Sequence, residues 1–170
     1  MSQANVSLTL NELNSADRQR FVAAVGFVFE HAPWVAERAW ARRPFHTIEE
    51  LHRAMVDEVA SAGMDEQLLL LKAHPDLGTR ATMSSASAGE QAGAGFDSLT
   101  AVEAGEFRRL NTAYREKFGF PFLYAVKGST KRDILRALEA RLESAREHEF
   151  GEALRQVYRI ARFRLDDLFG

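Results

Sequence analysis

Apolar residues recur at helical rather than alternating spacing along nearly the whole chain, a pattern that predicts an all-α protein. Phe21, Val25, Val28 and Phe29 fall on one face after Asn14 and Ser15, residues suited to capping a helix start. Pro33 fits the first turn of a helix running into Trp34, Val35 and Trp40. Thr47-Ile48-Glu49-Glu50 has the form of a capping box. Leu51, Met55 and Val59 follow it on one face, and Gly63 is placed to end that helix. Leu68 to Leu71 is apolar all round, as expected of a short, deeply buried helix. It should stop at His74-Pro75, because proline disfavours the helical conformation for the residue before it.

Thr79 to Ala88 is small and polar, with Met83 its one large apolar residue, and is expected to be a mobile loop. Ser87-Ala88-Gly89-Glu90 and Thr100-Ala101-Val102-Glu103 repeat the capping-box pattern. The second opens a helix with Phe107, Leu110, Tyr114 and Phe118 that stops at Gly119. Phe120 to Val126 is apolar, β-leaning and proline-bearing, so it predicts an extended segment. Two long helices close the chain, one with Ile134, Leu135, Leu138 and Leu142, the other with Leu154, Val157, Ile160, Ala161, Leu165 and Leu168. One extended segment alone has no strand to pair with. The expected architecture is a single all-α domain over residues 1–170, a bundle of about eight helices.

Composition narrows the function. Apolar residues make up 46 % of the chain and charged ones 27 %, an ordinary globular mix able to offset the ordering entropy. Lys and Arg number 22 against 24 Asp and Glu, a net charge of −2, and no helix has a basic recognition face. That balance argues against nucleic acid, including a helix-turn-helix reading, and against an anionic membrane surface. No apolar run approaches the roughly 20 residues of a membrane span. Met1 to Leu10 lacks the pattern of a signal peptide and Leu168-Phe169-Gly170 is not a peroxisomal tail, so the expected compartment is the cytoplasm. With no cysteine there is neither disulfide nor thiolate chemistry.

Five histidines remain as candidates, and His31, His46, His52 and His148 lie at expected helix ends or solvated faces. Glu49 and His52 form one Glu-x-x-His, but a di-iron site needs a second copy, and no His-Glu-x-x-His occurs, so no metal is expected. Gly89, Gly93 and Gly95 have neither the preceding strand nor the lysine of a phosphate loop. Arg155, Arg159 and Arg162 read as a solvated helix face. His74-Pro75-Asp76-Leu77-Gly78 differs in kind, since its imidazole sits at a helix exit fixed by proline and can exchange a proton near neutral pH. Pattern alone does not separate a catalytic from a structural His74. Glu90 is equally open: it can complete a cap with Ser87, or mark a helix start facing an anionic ligand.

Taken together, His74-Pro75-Asp76-Leu77-Gly78, Ser87-x-x-Glu90-Gln91 and Leu110-Asn111-x-x-Tyr114-x-x-Lys117-Phe118-Gly119-Phe120-Pro121-Phe122 resemble the OHCU decarboxylase family, which acts on 2-oxo-4-hydroxy-4-carboxy-5-ureidoimidazoline in urate breakdown. Pro44-Phe45 and Ile160-Ala161-x-x-Arg164-Leu165 extend the likeness over essentially the whole chain. Two stretches depart from the family pattern, Thr79 to Ala88 and Gly93 to Phe96, and neither removes a chemical group. The resemblance implies an all-helical carboxy-lyase without cofactor that yields (S)-allantoin. It implies His74 as the catalytic proton donor and Glu90 as its positioning and proton-handling partner. It further implies substrate contacts from Pro75, Ser87 and Gln91, from the backbone of Phe122, Leu123, Tyr124, Ala125 and Val126, and from Arg164 at the substrate carboxylate. Homodimerisation is common to such proteins and stays open here. The competing reading is a non-catalytic helical binding module, distinguished by whether Phe118, Phe120 and Phe122 line an enclosed pocket or an open patch.

Overall fold

A computed structural model describes residues 8–78 and 85–170. Helices begin where a side chain takes up N–H groups of the first turn. Thr9 opens α1 (Leu10–Ser15) and Asp17 opens α2 (Arg18–Val25), each accepting the backbone N–H of its N3 residue. The start expected at Asn14 and Ser15 therefore belongs to Asp17. Asn14 pairs with Phe45 instead, donating to its carbonyl at 2.7 Å and accepting its N–H at 2.8 Å. Pro33 leads α3 (Trp34–Ala39), as its fixed φ favours. Thr47 caps α4 (Ile48–Ala60), but Glu50 closes on the N–H of His46 rather than completing the box at Thr47. α4 ends at Ser61, and Gly63 starts the next helix rather than stopping this one.

That next helix, α5 (Met64–Lys72), corrects the deep-burial expectation. Leu70 and Leu71 are buried, whereas Leu69 is 68 % and Met64 72 % exposed. A helix with one face against a core leaves its opposite face in water whatever residues stand there. Of the expected loop, residues 79–84 lie outside the described residues, and the rest is already helical in α6 (Ser85–Gly93). Ser87 is thus inside a helix, not at the N-cap position that the capping-box pattern gave it. The Thr100–Glu103 box does form, with both arms present, and opens α7 (Ala101–Phe118). Gly119, at φ +82°, ends that helix in the left-handed conformation that glycine adopts without a Cβ clash. A further box, Thr130 with Asp133, opens α8 (Lys131–Leu142) and was not foreseen. Residues 120–126 run without helix or strand, as expected, and α9 (Arg146–Phe169) closes the chain.

The described residues hold nine α-helices and no strand. They form two compact units. In the first, Met1–Ala62 with Ala161–Gly170, the buried residues include Phe21, Val25, Phe29, Val35, Leu51, Met55 and Leu165. In the second, Gly63–Ile160, Tyr114 of α7 gathers Phe118, Phe120 and Phe122 at centroid distances of 4.5, 6.0 and 5.4 Å. Each buried side chain of this size contributes about 1.5–3 kcal/mol, so the aromatic cluster is a principal source of that unit's stability.

Candidate active site

His74 leaves α5 just beyond its last turn and is buried. Its Nδ1 lies 3.0 Å from the Leu70 carbonyl. A carbonyl only accepts, so Nδ1 carries the proton and Nε2 is the atom whose protonation changes. The neutral ring offers Nε2 as a base, and the imidazolium offers it as an acid.

The loop after His74 is fastened residue by residue within the second unit. Asp76 meets Arg115 at 2.7 Å, the Leu77 carbonyl accepts from Asn111 Nδ2 at 2.9 Å, and the Gly78 N–H donates to Gln91 Oε1 at 3.0 Å. Gly78 sits at φ +77°, where only glycine is unstrained. A Cβ there would stand 3.1 Å from Leu99 and 3.2 Å from Phe96, so the turn excludes side chains on two grounds. Pro75 and Asp76 are half-buried.

On α6, Ser87 and Gln91 are one turn apart and both buried, with Glu90 half-buried beside them. Since Gln91 reaches Gly78, this face of α6 is turned toward the His74 loop. Gln91 thus meets the end of the His74 loop, and Ser87 lies one turn from it on the same helix.

Phe122, Leu123, Ala125 and Val126 are buried and Tyr124 is half-buried. Much of this segment's backbone is held by side chains: the Ala125 N–H donates to Gln156 Oε1 at 2.9 Å, and the Leu123 carbonyl accepts from Arg141. Arg141 lies 4.6 Å over the Phe122 ring and donates to the buried Glu149 at 2.6 Å. Glu149 also accepts from the Tyr114 hydroxyl at 2.6 Å. Burial, and then the bond to Glu149, push the Tyr114 phenol above its ordinary range. Phe118, Phe120 and Phe122 are all buried in the core, not an open patch, which removes the aromatic surface that a binding module would need.

Arg164 belongs to the first unit, where it too is buried. It donates to Glu30 Oε2 and to the Phe27 carbonyl, each at 3.0 Å. Arg155 and Arg159 are exposed, and Arg162 pairs with Glu49 and Asp166. Among the described residues no group of His, Asp and Glu could hold a metal ion. A cavity of about 400 Å³ lined by Met64, Leu68, Phe120, Arg146, Glu147 and Phe150 contains none of the candidate residues.

The profile of the OHCU decarboxylases matches residues 14–166. The chain belongs to the OHCU decarboxylase family. It is 48 % identical over 161 residues to the 2-oxo-4-hydroxy-4-carboxy-5-ureidoimidazoline decarboxylase of Halalkalicoccus jeotgali, covering 95 % of this chain and 92 % of that one. Identity to the uric acid degradation bifunctional protein PucL of Bacillus subtilis is 51 % over 160 residues, 94 % of this chain. The chain spans 32 % of that longer protein. Among solved structures, an (S)-allantoin synthase is similar at TM-score 0.75 and 36 % identity, over 94 % of this chain and 54 % of that one. An OHCU decarboxylase crystallised in the presence of (S)-allantoin has TM-score 0.69 at 23 % identity, over 91 % and 99 % of the two chains, and supports the fold alone.

Within this chain the Lys117-to-Phe122 run is framework. Lys117 donates to the Leu142 carbonyl at the end of α8, Gly119 turns the chain, and the three Phe rings fill the core. Sequence reasoning assigned no role to Asn111, Arg115, Arg141, Glu149, Gln156 or Glu30. The one signal for the buried members was a polar residue inside an apolar stripe, such as Glu149 beside Phe150 or Glu30 after Phe29.

Proposed function

We infer that this chain is a carboxy-lyase that decarboxylates 2-oxo-4-hydroxy-4-carboxy-5-ureidoimidazoline to (S)-allantoin in urate breakdown, without a cofactor. The family match takes in residues of both compact units and supports reading 1–170 as one catalytic domain. When the bond from ring carbon to carboxylate breaks, its electron pair passes into the adjacent ring C=N and carbon dioxide leaves. The substrate supplies its own electron sink, so pyridoxal or thiamine would add nothing. The protein must hold the carboxylate, take the hydroxyl proton as that carbon becomes a carbonyl, and deliver a proton from one face to the neighbouring ring carbon that bears the ureido group.

The observation that carries this reading is the fastened imidazole. His74 has Nδ1 committed to the Leu70 carbonyl and stands on a loop tied to α6 and α7, leaving proton exchange to Nε2. His74 is the proton donor, and Glu90 positions it and handles the second proton. Pro75, Ser87, Gln91 and the 122–126 backbone are read as substrate contacts on the strength of the resemblance. Arg164 takes the substrate carboxylate by the same resemblance, although within its own unit its charge already meets Glu30. A homodimer is supported by the exposed Met64 and Leu69 on α5, and size-exclusion with light scattering measures it. Cytoplasmic location is carried from the sequence, and among the described residues no helix is long and apolar enough to cross a membrane.

Circular dichroism on freshly generated substrate tests the assignment, because it reports rate and handedness together. His74→Ala should stay folded and lose about 10²- to 10⁴-fold in rate. The residual, uncatalysed decay should give racemic allantoin, and Glu90→Gln should move in the same direction. A folded His74→Ala that makes (S)-allantoin at the wild-type rate refutes it.

A further inference from the structure

Two adjacent residues of the His74 loop are held by one face of one helix. Asn111 and Arg115 stand one turn apart on α7 and grip adjacent loop residues, Leu77 through its carbonyl and Asp76 through its carboxylate. Asn111 is buried, while the Arg115 side chain is 49 % exposed. We propose that Asn111 and Arg115 are positioning residues that fix where the His74 imidazole points during the reaction. The inference rests on reading His74 as the catalytic group.

The argument is geometric. The Leu70 carbonyl fixes Nδ1, and the ring is carried by the His74 backbone, whose place depends on the chain that follows it. The ring direction is then set by the path of the chain from His74 to Gly78. That path is held at Asp76 and Leu77 by α7 and at Gly78 by Gln91 of α6. α7 is itself anchored by Phe107, Tyr114 and Phe118 in the core, so it supplies a rigid reference. Displacing a reacting group by about 1 Å costs up to about 100-fold in rate without a comparable loss of binding. Disturbed positioning therefore acts on kcat, with KM little changed.

The experiment compares Asn111→Ala, Arg115→Met, Asp76→Arg and the exchange Asp76→Arg with Arg115→Asp, each checked for a cooperative thermal transition. Asn111→Ala should lower kcat about 10- to 100-fold and Arg115→Met a few-fold, with KM within about twofold of wild type. The exchange should recover most of the kcat lost in either of its single variants. In ¹H–¹⁵N spectra the His74 Nδ1–H signal should be sharp in wild type and the exchange, and broadened in the single variants. If Asn111→Ala fails to fold, Arg115→Met and the exchange decide the matter, since both sites are partly exposed. Wild-type kcat in folded single variants overturns the proposal, and so does lost activity that the exchange leaves unrecovered with the imidazole signal unchanged. His74→Ala separates the two levels. If it is inactive while the α7 variants are normal, only the positioning inference falls, whereas an active His74→Ala removes the reading beneath it.

Discussion

Glu149→Ala takes a carboxylate from the interior of the second unit, where two donors converge on one oxygen. The Tyr114 hydroxyl and Arg141 Nε each stand 2.6 Å from Glu149 Oε1, and the Glu149 side chain has no solvent exposure. Removing one partner of a buried ion pair costs about 3–5 kcal/mol, because the surviving charge is stranded. Arg141 is not wholly stranded, since its side chain is 13 % exposed and also donates to the Leu123 carbonyl. The lower end, about 3 kcal/mol, is therefore expected. For a chain of this length each kcal/mol moves the melting temperature by about 2–4 °C, so the drop should be about 6–12 °C. Glu149→Gln keeps an acceptor at the same place and loses only the charge, so it should fall between wild type and Ala. Thermal melts followed by far-ultraviolet dichroism give the order. A second readout is KM, which should rise in both variants because Arg141 steadies the 122–126 segment. A Glu149→Ala protein melting within a degree of wild type would show that this cluster contributes nothing net, and Gln melting below Ala would mean that charge is not what matters.

Three further outcomes follow from the same geometry. Gly78→Ala places an L-residue at φ +77° against Leu99 and Phe96, so it should cost about 1–2 kcal/mol in backbone conformation alone and lower kcat; unchanged melting and turnover would refute the strain. Arg164→Ala removes one partner of the buried Glu30, which keeps His31 Nε2 at 3.6 Å, and should destabilise by about 3 kcal/mol, the lower end for a broken buried pair. Glu30→Gln with Arg164→Met should restore the melt but leave KM raised, and a normal KM there would end the carboxylate role of Arg164. Tyr114 is held neutral by burial and by Glu149, so its contribution is complete below its unfolded value of about 10 and is lost as pH climbs above it. Absorbance at 295 nm in folded protein should then be the same for wild type and Tyr114→Phe, and one fewer titrating phenol in the variant at about pH 11 would contradict this.

Local signals were the most legible part of the sequence. The Thr100–Glu103 box, the Gly119 stop and the break after His74 depend on residues within a turn of each other, and the structure has all three. Errors arose where a residue had a distant competitor. Asn14 looks like a cap until Phe45 offers it a donor and an acceptor at once. Glu50 has the spacing for a box, yet closes on His46. Leu69 cannot announce from sequence that it faces away from the core, because four leucines in a row carry no periodicity. At the site, the proline after it singled out His74, and its proposed role came only with the family resemblance. The residues that hold its loop were not legible, since Asn111 and Arg115 are 34 and 39 positions from their partners.

The run from Leu110 to Phe122 made the family recognisable, yet neither His74 nor Glu90 lies in it. Its residues work as a floor. Asn111 takes the Leu77 carbonyl, and one turn on Tyr114 packs against Phe122 and binds Glu149. Lys117 closes the end of α8, and Gly119 folds the chain back so that Phe120 and Phe122 enter the same core. The His74 loop and the 122–126 segment thus rest on successive turns of one helix, within one unit. A change in α7 packing moves both together, whereas a change on α6 reaches the loop through Gln91. Substitutions along the buried stripe of α7 should therefore alter turnover and substrate affinity in step, and those on the α6 face should be able to alter one without the other.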